Sequence, residues 1–217
     1  MNHPFIRNHQ FNAMRKITQQ LQLATQSVSD PRVLASVRDH AQAQLAEVLP
    51  GAADVQKAHL ERVAGLRTAE EFEEFLRTIE SWRRPFPSVT EAQLKKLFPK
   101  VKKLKVPDLE AVDPHRVTYL SWTDIASGKM FLVYPLDGQW VGIEGRCTPV
   151  GRQGVCFLCN KGGEVGLFTA ITKSRPAGAS PDYYKAIGNY MCLHGDVCNK
   201  NITDVKVLEQ FLHELVD

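Results

Sequence analysis

Gly151-Arg-Gln-Gly-Val-Cys-Phe-Leu-Cys-Asn-Lys-Gly-Gly163 and Gly188-Asn-Tyr-Met-Cys-Leu-His-Gly-Asp-Val-Cys-Asn-Lys-Asn-Ile-Thr-Asp204 decide how the 217-residue chain is read. Each stretch holds two cysteines: Cys156 and Cys159 in the first, Cys192 and Cys198 in the second. A tetrahedral zinc ion takes four thiolates at about 2.3 Å, and a Cys-x-x-Cys turn lets two of them converge on one ion. The 32 residues between the pairs suffice for a hairpin and a loop that brings the second pair back. That layout predicts a treble-clef-like site with one structural zinc on Cys156, Cys159, Cys192 and Cys198. A redox Cys-x-x-Cys would open a helix in a βαβ unit, whereas this pair sits in a glycine-rich knuckle. Structural disulfides would need an oxidising compartment. Residues 1–20 carry scattered charges and no apolar segment of the signal-peptide kind, so a cytoplasmic location is expected. Cys147 stands apart as a free thiol. His194 could replace one ligand, but four thiolates already fill the shell.

With 43% hydrophobic and 24% charged residues and no apolar run of spanning length, the composition is that of a soluble chain without a membrane role. Its charge is uneven. Residues 1–110 hold 17 Lys/Arg against 13 Asp/Glu, and residues 111–217 hold 10 against 11. The excess concentrates in Lys95, Lys96, Lys100, Lys102, Lys103 and Lys105. A dedicated nucleic-acid binder shows a stronger basic footprint, so direct nucleic-acid binding is not expected. The lysines read first as a solvated face. Contact with an acidic partner or ribosomal RNA is the alternative, which would make the chain a ribosome- or RNA-contacting zinc module.

Residues 1–82 read as an antiparallel bundle of about four helices. Pro4 can open the first, with Ile6, Ala13, Ile17, Leu21, Ala24 and Val28 at helical spacing. Asp30-Pro31 is an N-cap with proline in the first turn. It precedes a stripe of Val33, Val37, Ala41, Leu45 and Val48 that Pro50-Gly51 ends. Val55, His59, Leu60, Val63 and Leu66 make the third. Thr68 and Glu71 form a capping box before Phe72, Phe75, Leu76, Ile79 and Trp82. His40 and His59 have no second metal ligand at useful spacing. Residues 83–110 read as a connector with one short helix, opened by a second capping box, Thr90 to Gln93.

Residues 111–217 read as β-rich. Strands are expected over 117–122, 130–134, 139–143, 164–172 and 183–191, with Asp137-Gly138 as a hairpin turn. Thr203-Asp204 caps a terminal helix carrying Val207, Leu208, Phe211, Leu212 and Leu215. The fold class is therefore α+β: a helical bundle, then an α/β domain built round the zinc finger. A four-thiolate site leaves no coordination position for water or substrate. No nucleophile partners His115, His194 or His213, and no phosphate-cradling glycine loop is present, so no catalytic residues are assigned.

Cys156-Phe-Leu-Cys-Asn-Lys161, followed by Gly188-Asn-Tyr-Met-Cys-(x5)-Cys-Asn-Lys-Asn-Ile-Thr-Asp204 before a terminal helix, resembles the elongation factor G-binding proteins of FusB type. The resemblance implies the four cysteines as zinc ligands and a protein without enzymatic activity, and a monomer is expected. It implies elongation factor G as partner, on or near the ribosome. In resistance members, binding frees that factor from ribosomes on which fusidic acid has trapped it. Partner contacts are expected on the zinc domain, from Phe157 in the knuckle, Tyr183, Tyr184, Lys185 and Tyr190 before the second pair, and Phe211 on the last helix. Aromatic residues beside a lysine suit an interface anchor, and the alternation along 183–191 turns some of them inward.

Overall fold

The structure, a computed structural model, describes residues 4–173, 178, 180 and 184–216. The chain divides into two compact units, Met1–Arg84 and Pro85–Asp217.

The first unit is helical: α1 (Asn8–Ser27), α2 (Pro31–Val48), α3 (Asp54–Glu61) with a 3-10 turn over Arg62–Gly65, and α4 (Ala69–Glu80). Its caps are those the residue types demand. Asp30 accepts from the Arg32 amide at 2.8 Å. Thr68 and Glu71 satisfy each other's amides, at 3.3 and 3.1 Å. The Arg67 and Thr68 amides together hold the Glu71 carboxyl below its ordinary range.

The buried face of α1 differs from the expected stripe. The helix starts at Asn8, and Phe11, Met14, Thr18 and Leu21 face inward. Thr18 can be fully buried because its hydroxyl donates to the Met14 carbonyl at 2.8 Å. Ile6 lies before the helix, in a parallel bridge to Arg83. Val33 and Val55, expected inside, are 50% and 75% exposed because they sit in the first turns of α2 and α3. The core instead gathers Leu45, Leu60, Phe72, Phe75, Ile79 and Trp82. Arg83 is 6% exposed, and both of its terminal guanidinium nitrogens find partners. It donates to Asn8 at 2.8 Å and Glu80 at 3.0 Å, and lies 4.3 Å over the Phe11 ring.

The second unit is an antiparallel meander of five strands in the order β1-β2-β3-β4-β5. These are β1 (Leu120–Asp124), β2 (Lys129–Leu136), β3 (Gln139–Val155), β4 (Gly162–Ile171) and β5 (Ala186–Cys192). Three helices join them: α5 (Glu91–Leu97), α6 (Gly195–Asn201) and α7 (Lys206–Val216). Asp137 and Gly138 both have positive φ, 48° and 77°, as a two-residue hairpin of the primed type requires.

Strand β2 is the continuous apolar run Met130-Phe-Leu-Val-Tyr134, and all five residues are buried. It is covered on both faces. Met130, Leu132, Tyr134 and Leu136 pack with Leu208, Leu212 and Leu215 of α7 and with the cysteines. Phe131 and Val133 pack with Leu94 and Phe98 from the α5 segment. The stretch expected as a connector thus belongs, from Pro85 onward, to this compact unit. Its apolar residues had no visible partner in the sequence, because that partner is the outer face of a sheet.

Strand β3 is longer than expected, reaching Val155 and delivering the chain to Cys156. A register irregularity between Pro149 and Gln153 accommodates the proline, which has no amide for the ladder. Among the described residues no helix is long and apolar enough to cross a membrane.

Candidate metal centre

Three separate pieces of chain deliver the four cysteines. The turn between β3 and β4 supplies Cys156 and Cys159, the end of β5 supplies Cys192, and α6 supplies Cys198. The turn is tight. Asn160 donates its amide to the Cys156 carbonyl at 2.9 Å, and the Cys156 amide donates to the Lys161 carbonyl at 3.0 Å. Asn160 takes a left-handed φ of 52°, a conformation asparagine tolerates better than most residues. The Phe157 amide donates to the Tyr190 carbonyl at 2.8 Å, tying the knuckle to the outer edge of β5.

All four sulfurs lie within 4.8 Å of one another, and all four residues are buried. Cys156 Sγ is 3.8 Å from Cys198 Sγ, and Cys159 Sγ is 3.6 Å from Cys192 Sγ. Four thiolates at about 2.3 Å from a tetrahedral zinc stand about 3.8 Å apart, so the donor set has the size of that ion. It is also closed, with four soft ligands and, among the described residues, no fifth group. Cys156 is held far below the ordinary thiol range because Cys159, Cys192 and Cys198 all donate to it. Cys192 and Cys198 are pushed far up, chiefly because each donates to Cys156 and Cys159. Four thiolates crowded into one buried site repel one another and need a cation. These residues hold one structural zinc ion, which supplies cohesion between the knuckle, β5 and α6.

His194 is not a ligand. It caps α6, and its ring reaches toward Glu164, 4.0 Å away, with its side chain two-thirds exposed. Cys147 lies apart on β3, opposite Phe168, a buried thiol whose pKa is raised by burial. Two residues absent from the sequence-level site complete the surroundings. Tyr119 is fully buried, and among the described residues its hydroxyl finds no hydrogen-bond partner. Burial above all pushes its pKa up, and the neighbouring Cys198, Cys156 and Cys192 push it further. Asn199 fixes this placement. Its side-chain oxygen accepts from the Thr118 and Tyr119 amides at 2.7 and 3.2 Å, and its amide donates to the Tyr119 carbonyl at 2.9 Å. Asn199 stands inside the second cysteine stretch and Tyr119 in an ordinary strand-like stretch, and only their meeting in space reveals what they do.

The residues expected to meet a partner separate by burial. Phe211 is a core ring, 4% exposed, edge-on to Phe157 at 5.1 Å and near Phe168 at 6.2 Å. The apolar face of α7 turns it inward, in contrast to the expected exposed anchor. Phe157 is half-buried against it. Tyr184, Lys185 and Tyr190 are exposed, and Tyr183 lies outside the described residues. Exposed Leu167 stands directly opposite Tyr190 across the β4–β5 ladder, and Ile171 lies further along the same face of β4. Neither leucine nor isoleucine could be assigned to an open face before the register was known.

Two family models match the chain: elongation factor G-binding protein, N-terminal, over residues 5–87, and FBP C-terminal treble-clef zinc-finger over residues 96–213. No curated protein matches it. Among solved structures, that of the fusidic acid resistance protein FusC is similar over 98% of both chains, with a TM-score of 0.81 and 25% identity.

Proposed function

We propose, from the premise that this chain belongs to the family of FusB-type elongation factor G-binding proteins with a C-terminal treble-clef zinc finger, that it binds translation elongation factor G and promotes the factor's release from the ribosome. Protection against fusidic acid follows if release outpaces trapping, as the likeness to FusC supports. The observation that carries the reading is the closed four-cysteine centre inside the residues that match the family's zinc finger. A filled thiolate shell offers no site for substrate, so the metal's work is to hold a surface rigid. The protein acts by binding, without catalysis, as a monomer in the cytoplasm.

The face presented to the factor is that of β4 and β5 beside the knuckle, with Tyr184, Lys185 and Tyr190 as anchors and Leu167 and Ile171 beside them. Phe157 contributes through its exposed edge. A binder can displace the factor only by preferring its ribosome-free conformation, since a ligand shifts an equilibrium by its differential affinity. The test is co-elution of the zinc-loaded chain with purified factor G in size-exclusion chromatography, with and without chelator. A complex that disappears on chelation is expected. Separate elution of the zinc-loaded chain and the factor at micromolar concentration overturns the reading.

A further inference from the structure

The second unit carries a charged feature that the metal centre does not use. Residues 95–105 contain six lysines and no acid, whereas the rest of Pro85–Asp217 holds 10 Lys/Arg against 14 Asp/Glu. A strip of charge +6 therefore sits on a unit that is otherwise −4. The fold sorts this stretch by chemistry. Leu94, Leu97, Phe98, Val101, Leu104 and Val106 sink into the outer core against the sheet. Lys95, Lys96, Lys100, Lys102, Lys103 and Lys105 are all exposed. Lys95 pairs with Glu91 at 2.6 Å, and among the described residues the other five make no ion pair. The backbone under them is pinned, because the Phe98 amide donates to the Lys95 carbonyl, the Val101 amide to Phe98, and the Trp122 indole to Lys105 at 2.8 Å.

The chemistry of the strip selects its partner. Protein interfaces are anchored by buried aromatic and apolar side chains and are depleted in lysine. Here every large apolar side chain of the strip faces the core, and ammonium groups alone meet solvent. Single-stranded nucleic acid is held by bases stacked on exposed aromatics, and none is offered. Ammonium point charges along a fixed backbone match phosphates, the groups that any double helix displays in a regular row. We propose that the Lys95–Lys105 strip docks the phosphate backbone of a nucleic-acid double helix, without reading its sequence. This contact is separate from the factor-binding face of β4 and β5 and stands whether or not that face binds the factor.

The experiment is fluorescence anisotropy of the zinc-loaded full chain with a labelled 20-base-pair RNA duplex, repeated from 50 to 200 mM salt. Five to six phosphate contacts give a slope of log affinity on log salt of about −4.5 to −5.4. The triple variant Lys100→Gln, Lys102→Gln, Lys103→Gln is expected to keep its zinc, lower the slope's magnitude by about three, and still co-elute with factor G as the unaltered chain does. Duplex binding without salt dependence, or an unchanged slope in the triple variant, overturns the proposal. So does equal or tighter binding of labelled poly-glutamate, which would mark an acidic protein as the partner, or tighter binding of single-stranded RNA. Loss of factor G binding in the triple variant would also overturn it, by placing the strip in the protein interface. Duplex binding by a chain that ignores factor G would uphold the strip and sink the factor-binding reading.

Discussion

The two units solve the same problem with different means. Met1–Arg84 is held chiefly by side-chain packing: long α1 and α2 lay apolar stripes on a core of Phe72, Phe75, Ile79 and Trp82. In Pro85–Asp217 the four cysteines belong to the same core cluster as Leu208, Phe211 and Leu212. The metal centre is thus a structural element inside the sheet's inner face. The reason is visible in α6, which has only seven residues. Isolated helices shorter than about 12 residues are marginal in water, and α6 is fastened by Cys198 to the metal and by Asn199 to the Thr118–Tyr119 backbone. Where a helix is too short to be stabilised by its own stripe, coordination and buried hydrogen bonds replace the missing area.

The sharpest way to break this contrast is to remove the metal. Structural zinc contributes about 10–16 kcal/mol in small zinc modules. Chelation, or Cys198→Ser, is therefore expected to abolish cooperative unfolding of the second unit while the helical signal of the first persists. Far-UV circular dichroism with thermal melts reads both, and a zinc-free chain with an unchanged melt would refute the division. The converse substitution, Phe72→Ala, strikes packing only. It is expected to destabilise the first unit by about 3–5 kcal/mol in urea unfolding, with zinc content unchanged. Tyr119→Phe makes the smallest change, removing one hydroxyl and leaving the ring in place. Partners of metal ligands typically contribute about 10–100-fold in affinity, and a loss in that range is expected in competition with a chromophoric chelator. A shift of the cobalt–thiolate absorption band should accompany it. Identical affinity and spectrum would show that the buried Tyr119 hydroxyl does nothing for the metal.

How much of this was legible beforehand depends on how local the cause is. Both capping boxes, the Asp30 cap, the Asp137-Gly138 turn and the terminal helix after Asp204 rest on residues within four positions of one another, and each is found where its residues stand. The metal set was legible because ligand spacing is itself a local pattern. Elements whose cause lies elsewhere in the chain were not. Helix α6 escaped notice because two distant amides and a metal hold it. The length of β3 depends on its pairing with β4 as far as Gly162. The inward turn of Phe211 follows from what α7 packs against, and the same apolar periodicity would have suited an exposed groove.

The order of the residues alone therefore determined that four thiolates would share one ion and that an amphipathic helical half precedes a strand-rich one, because ligand chemistry and side-chain periodicity act over a few positions. Only the tertiary structure decided that Tyr119 and Asn199 attend the metal. It also decided that residues 85–112 clothe the outer face of the sheet, leaving six lysines in water, and that Leu167 and Tyr190 open together on one side. Each of those outcomes is a meeting between groups tens of residues apart, whose partners are chosen by burial and register rather than by their neighbours in the chain.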